Sequence, residues 1–180
     1  MTATPVPATD RQPVVVGIDG SDRSKAALAW AAHYASLTDA PLVVVAAWRF
    51  PTDYGWTWPV PEGWSPEADT QAVADREVKE VLGPEPGLAY TVSVVEGHPA
   101  EVLTDASAGA SIVVVGSRGR GQFAGMLLGS VSEHLTAHAR CPVVVVRGET
   151  EEYGVQPAGS MADTAAAAGT TGTTSTGPPA

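Results

Sequence analysis

The sequence predicts an α/β protein built on a parallel sheet covered by helices on both faces. Three observations carry this reading. Short runs rich in β-branched residues are apolar at every position rather than at every second one, as expected of strands buried on two sides. Each run is followed by a longer stretch of helix formers, and such alternation brings successive strands parallel with right-handed crossovers. The chain has 180 residues, 44% of them hydrophobic, enough to bury one sizeable core.

Val14–Ile18 is the first such run, and "DGSD" then leads into the alanine-rich stretch Arg23–Leu37. Ser21 or Asp22 can cap this helix by accepting an orphan amide hydrogen bond. Ala27, Leu28, Ala31 and Ala35 give it a small-residue apolar face suited to close packing on a sheet. Leu42–Ala47 reads as the second strand, Ala68–Leu82 as a helix, and Tyr90–Val95 as the third strand. Ala100–Ala108 is a short helix after the "GHP" turn, and Ile112–Val115 is the fourth strand. Ser130–Ala139 follows as a helix, and Pro142, which has no amide hydrogen, introduces the fifth strand, Val143–Val146.

These elements define a body over residues 13–148, preceded by a flexible N-terminus over 1–12. Within the body, Arg49–Pro66 is far longer than the connection it replaces and is rich in Trp and Pro. Its Trp56, Trp58 and Trp64 are expected to pack on their own domain, with a lid or a contact surface as the alternative. Residues 149–180, acidic and then rich in Ala, Thr and Gly, lack the large apolar side chains needed to offset ordering entropy and are expected to be disordered.

Charge narrows the partners. The formal net charge is −10, which disfavours nucleic acid and anionic lipid. All ten basic residues precede Glu149, so the acidic end is a different material from the body. A single cysteine, Cys141, precludes an intramolecular disulfide and suits a reducing compartment, where it reads as a small buried apolar residue. The N-terminal residues lack a targeting pattern and no run is long enough to span a membrane, so a cytoplasmic location is expected.

The chemistry concentrates in "VVVGSRGRGQFAGMLLGSVSEHL". Gly116 ends the fourth strand, Gly119 follows after two residues, and nine residues later Gly129 and Ser130 open a helix. In an open α/β sheet the ligand crevice lies beyond the carboxyl ends of the strands. Glycines there let backbone amides approach phosphate oxygens, and a helix N-terminus adds unpaired N–H groups and a favourable dipole. A P-loop is excluded, because the nearest preceding lysine is Lys79. Gly119, Gly121 and Gly125 imitate a dinucleotide fingerprint, but they follow the fourth strand and no acidic residue stands about twenty positions on.

The spacing Gly116-x2-Gly119-x9-Gly129-Ser130 resembles the nucleotide-binding signature of the universal stress protein family, in its ATP-binding branch. The resemblance runs from Pro13 to Arg147 and includes "VVVGIDGSDRSKAALAWA", "GHPAEVL", "IVVVGSRGRG" and "ARCPVVVVR". It implies a Rossmann-like, five-stranded parallel sheet in the order 3-2-1-4-5, with the switch between strands 1 and 4. It puts Asp19 on the adenosine side of the nucleotide and the backbone near Ala47 against adenine. Gly116 and Gly119 would line ribose and phosphates, while Gly129, Ser130 and Val131 would receive the phosphate tail.

The expected function is thus a regulatory stress-response module that binds ATP, with a divalent cation such as Mg accompanying it. One alternative is a slow ATPase or a protein that phosphorylates itself at a residue such as Ser130; no carboxylate or glutamine in the loop obviously positions a water. Another is a dimeric scaffold without nucleotide. Arg118 and Arg120 read as solvated rather than as core site residues, and Asp19 also suits a cap of the first turn. His134 and His138 have helical i, i+4 spacing but no third ligand, so a surface reading is preferred to a metal site. In the 3-2-1-4-5 order Val143–Val146 is a sheet edge, which predicts a homodimer through that strand, with the protein partner of signalling unassigned.

Overall fold

A computed structural model describes residues 11–50, 63–119 and 127–147 of the protein. In chain order the elements are β1 (Val14–Ile18), α1 (Asp22–Thr38), β2 (Leu42–Trp48), α2 (Pro66–Leu82) and β3 (Tyr90–Glu96). They continue with α3 (Pro99–Ser107), β4 (Ile112–Gly116), α4 (Ser130–His138) and β5 (Val143–Val146). Helix α2 starts two residues before the expected Ala68 because Ser65 Oγ accepts the Ala68 N–H at 3.2 Å and Pro66 takes a first-turn position that needs no amide hydrogen. Trp56, Trp58, Arg120, residues 1–10 and the tail 149–180 lie outside the described residues.

The five strands form one parallel sheet in the order β3-β2-β1-β4-β5. Val14 of β1 stands opposite Leu42 on one side and Ile112 on the other. Because side chains alternate across a strand, β1 sends Val14, Val16 and Ile18 into a core shared with α1 and α2. Val15, with Val45, Val113 and Val115, packs on the opposite face against Leu103 of α3 and Leu135 of α4. Leu28, Leu42 and Leu135 are wholly buried, each worth about 1.5–3 kcal/mol of transfer free energy.

The alanine face of α1 does bring that helix close to the sheet. A Cβ added at Gly116 would lie 2.8 Å from the carbonyl oxygen of Arg23, so helix and strand end approach to a distance only glycine permits.

The expectation that every strand is apolar on both faces fails at β3. Tyr90, Thr91, Val95 and Glu96 are exposed and no residue of the strand is fully buried. The reason is position: among the described residues, β3 is an edge that pairs only with β2. Cys141 is half-buried rather than buried, packing against the α3/α4 side of the core, and desolvation pushes its thiol pKa up. Among the described residues, no helix is long and apolar enough to cross a membrane.

Candidate functional site

At the switch point between β1 and β4 two strand-to-helix crossings face each other. The first is held by side chains. Asp19 follows β1, and Gly20 turns the chain with φ +82°, a conformation that favours glycine. Asp19 Oδ1 accepts the Ser21 N–H at 3.0 Å, and Ser21 Oγ accepts the Ser24 N–H at 3.2 Å, so Ser21 rather than Asp22 caps α1. Asp19 therefore does brace the turn with one oxygen, while its Oδ2 reaches toward Gly119, where an added Cβ would collide with it.

Behind this turn stands Glu77 of α2, a carboxyl group only 2% exposed. Its Oε2 accepts the Gly20 N–H at 2.8 Å, and its Oε1 is 2.7 Å from Ser24 Oγ. Burial pushes the Glu77 pKa above its ordinary value, opposed by hydrogen bonds from Ser24 and Gly20 and reinforced by the nearby Asp19. On the surface the same two helices meet again, with Lys25 Nζ 2.7 Å from Glu80 Oε1.

Among the described residues, the second crossing is held mainly by backbone. Ser117 N–H donates to Val146 O and Gly129 N–H donates to Ser117 O, both at 2.7 Å. Ser132 Oγ, buried, lies 3.1 Å from Ser117 O and 2.9 Å from Gly129 O. This seats the start of α4 on the end of β4. Gly129 is the N-cap of α4 and, among the described residues, no side chain caps it, whereas α1, α2 and α3 are capped by Ser21, Ser65 and His98. The first-turn amides of α4 lack intrahelical acceptors, as at any helix start, and among the described residues no side chain substitutes.

Between the crossings lies a cavity of about 380 Å³, within the usual size of small-molecule sites. Asp19 and Ala47 line it from one side and Gly116, Gly119, Gly129, Ser130 and Val131 from the other, so all seven residues singled out in the sequence meet there. Val45, Val115 and Leu103 give it an apolar floor. Arg118 also lines it; Arg120 is outside the described residues.

Several contributors escaped the sequence reading. Leu103 lies in the "GHPAEVL" motif, which signalled α3 but not its contact with the cavity. Ser132 and Glu133 lie two and three residues beyond the signature serine, and Ser24 lies in the first turn of α1, five residues after Asp19. Glu133 places on the cavity a carboxylate that the loop itself lacks. The rings of His134 and His138 stack at 4.3 Å, and His138 Nδ1 lies 2.9 Å from His134 O.

Residues 10–147 match the profile described as the Universal stress protein family. The chain belongs to that family. It is 40% identical over 149 residues to a universal stress protein of Mycobacterium tuberculosis (strain ATCC 25618 / H37Rv), an alignment covering 79% of this chain and 47% of the relative. The chain thus spans about half the length of the curated relatives it matches. Among solved structures, a universal stress protein in complex with cAMP aligns at 27% identity and TM-score 0.54, over 76% of this chain and 97% of that one. The universal stress protein from Archaeoglobus fulgidus in complex with dAMP aligns at 23% identity and TM-score 0.54, over 77% and 100%. The latter likeness concerns the fold.

Proposed function

We propose that this universal stress protein binds an adenine nucleotide, ATP in the first instance, in the cavity between β1 and β4, and that the bound state serves a regulatory role in the stress response. The observation that carries the reading is the pairing of an apolar pocket with the uncapped N-terminus of α4. The apolar floor suits a base, and first-turn amides with the helix dipole suit phosphate without net positive side-chain charge. Asp19 would take a ribose hydroxyl and the backbone near Ala47 the adenine edge. Gly116 and Gly119 would admit ribose and phosphate, and Gly129, Ser130 and Val131 the phosphate tail. Bound ATP brings its own charge, for which a divalent cation such as Mg is the natural companion. The family relationship and the cAMP complex of a relative support a nucleotide ligand.

Isothermal titration of the full chain with AMP, cAMP and ATP, each with and without Mg, tests this. Saturable binding is expected, tightest for ATP with Mg, and Ser130→Glu, which sets a carboxylate at the exposed start of α4, abolishes it while the far-UV spectrum is unchanged. Absence of binding by all three ligands overturns the reading; equal binding of AMP and ATP overturns the assignment to ATP.

Slow hydrolysis is the second reading, favoured by the presence of Glu133 and Asp19 on the same cavity. It requires ADP to accumulate over hours and to cease doing so in Glu133→Gln. Homodimerisation through β5 completes the proposal, since Val143, Val144 and Val145 remain half-exposed on an edge that, among the described residues, pairs only with β4. Sedimentation of monomer alone at micromolar concentration overturns it.

A further inference from the structure

The contacts around Glu77 raise a question of hydrogen counting. Ser24 has one hydroxyl hydrogen, yet its Oγ lies 2.9 Å from Ser21 O and 2.7 Å from Glu77 Oε1. If Glu77 is ionised, both neighbours are acceptors only, and one short oxygen–oxygen contact has no hydrogen in it. If Glu77 carries a proton on Oε1, every contact is filled. Gly20 N–H donates to Oε2, Oε1–H donates to Ser24 Oγ, and Ser24 Oγ–H donates to Ser21 O.

We infer that Glu77 is kept as the neutral acid and acts as a positioning residue, its carboxyl group tying Gly20 and Ser24 together so that Asp19 is presented to the ligand cavity. The role rests on the nucleotide-binding reading above. Glu77 itself does not line the cavity; Asp19 and Ser24 do. The proton comes from solvent and no bond other than O–H is made or broken.

The surroundings agree with a neutral group. The residue is 2% exposed, and a buried carboxylate with two donors and, among the described residues, no paired cation is costly. Asp19 lies on the turn it braces, and Asp22, Arg23 and Lys25 are the ionisable groups of the adjoining first turn of α1. Arg23 and Lys25 flank Ser24 in sequence, and the Lys25 ammonium is engaged by Glu80 of α2. Arg76, Lys79 and Glu80 flank Glu77 on its own helix, and all three are exposed. Strand β2 has no ionisable side chain, and β3 has only Tyr90 and Glu96, at its two ends. Desolvation raises the Glu77 pKa, in the same direction as the hydrogen count.

Two measurements on the full chain test this. In the first, carbon NMR follows side-chain carboxyl carbons of labelled glutamate, with the Glu77 signal assigned by its loss in Glu77→Gln. It is expected to titrate at higher pH than every other glutamate; titration with or below the rest overturns the neutral-acid assignment. In the second, AMP and ATP affinities are measured against pH. Wild type is expected to weaken by about tenfold as Glu77 ionises, the equivalent of one well-formed hydrogen bond. Glu77→Gln, whose amide can accept from Gly20 and donate to Ser24 as the neutral acid does, is expected to bind without that pH dependence. A wild-type profile identical to that of Glu77→Gln overturns the positioning role. If neither nucleotide binds at any pH, the positioning role falls with the functional reading, while the NMR titration still decides where the proton sits.

Discussion

The two crossings that flank the cavity solve the same geometrical problem with different materials. Between β1 and α1 the turn is tied by side chains: Asp19, Ser21 and Ser24 locally, and Glu77 from another helix. Between β4 and α4 the ties among the described residues are largely main-chain bonds, with Ser132 their main side-chain contributor, and no described side chain caps the helix start. The difference teaches which wall can be both rigid and receptive. A wall whose polar groups already satisfy one another can orient a ligand with a single projecting group. A wall of bare amides retains unspent hydrogen-bonding capacity for an anion.

The sharpest way to break this contrast is at the point where the walls touch. Gly116→Ala forces a methyl to within 2.8 Å of the Arg23 carbonyl oxygen, which belongs to backbone and cannot swing away. Overpacking of this kind destabilises by about 1–3 kcal/mol, so the urea midpoint of Gly116→Ala should fall clearly below wild type. An unchanged midpoint would mean the two crossings are not in rigid contact. It follows that lost nucleotide binding in this variant is no test of the ligand site, since the fold is disturbed as well. Ser21→Ala comes next, removing the cap of α1 at about 1 kcal/mol. Ser130→Ala should leave stability unchanged and reduce phosphate affinity by less than about tenfold, because the first-turn amides remain. If both serines proved equal in thermal melts, the distinction between a capped and an open helix start would collapse.

The legible part of this molecule is the part written in local pattern. Strands such as Val14–Ile18 and Ile112–Gly116 are buried on both faces, and that burial appears in the sequence as an unbroken apolar run. Edge strand β3 carries a weaker pattern, and exposure at Tyr90 and Glu96 depends on which strand ends the sheet, a property of order rather than composition. The resemblance supplied the 3-2-1-4-5 order; periodicity alone could not. The glycine spacing pointed to a loop that does reach the cavity, yet Gly116 and Gly119 turn out to have packing reasons too, against Arg23 and Asp19. Glu77 was invisible because it lies 57 residues from Gly20 and looks like any other acid on an amphipathic helix.

Helices α1 and α2 are bridged twice, and comparing the bridges yields the smallest expected effect. Lys25–Glu80 is a surface ion pair, with the Glu80 side chain 56% exposed, and such pairs contribute at most a few tenths to about 1 kcal/mol. Its hydrogen bond with Glu80 raises the Lys25 pKa, against some desolvation, so the stability it adds is full below the ordinary lysine pKa and lost as pH rises through the raised one. Glu77 also has a raised pKa, so its contribution is full below the ordinary carboxylate pKa and declines as pH rises through the raised value of the folded state. Both terms therefore fade with rising pH, but the buried one fades first, starting from the carboxylate range. Lys25→Ala should lower the melting temperature slightly and less at high salt, with no change in the pH at which wild type begins to lose stability. Glu77→Gln should remove that early loss, so its stability relative to wild type rises with pH. A Lys25→Ala variant that shifted the early transition would transfer control of the wall from the buried acid to the surface pair.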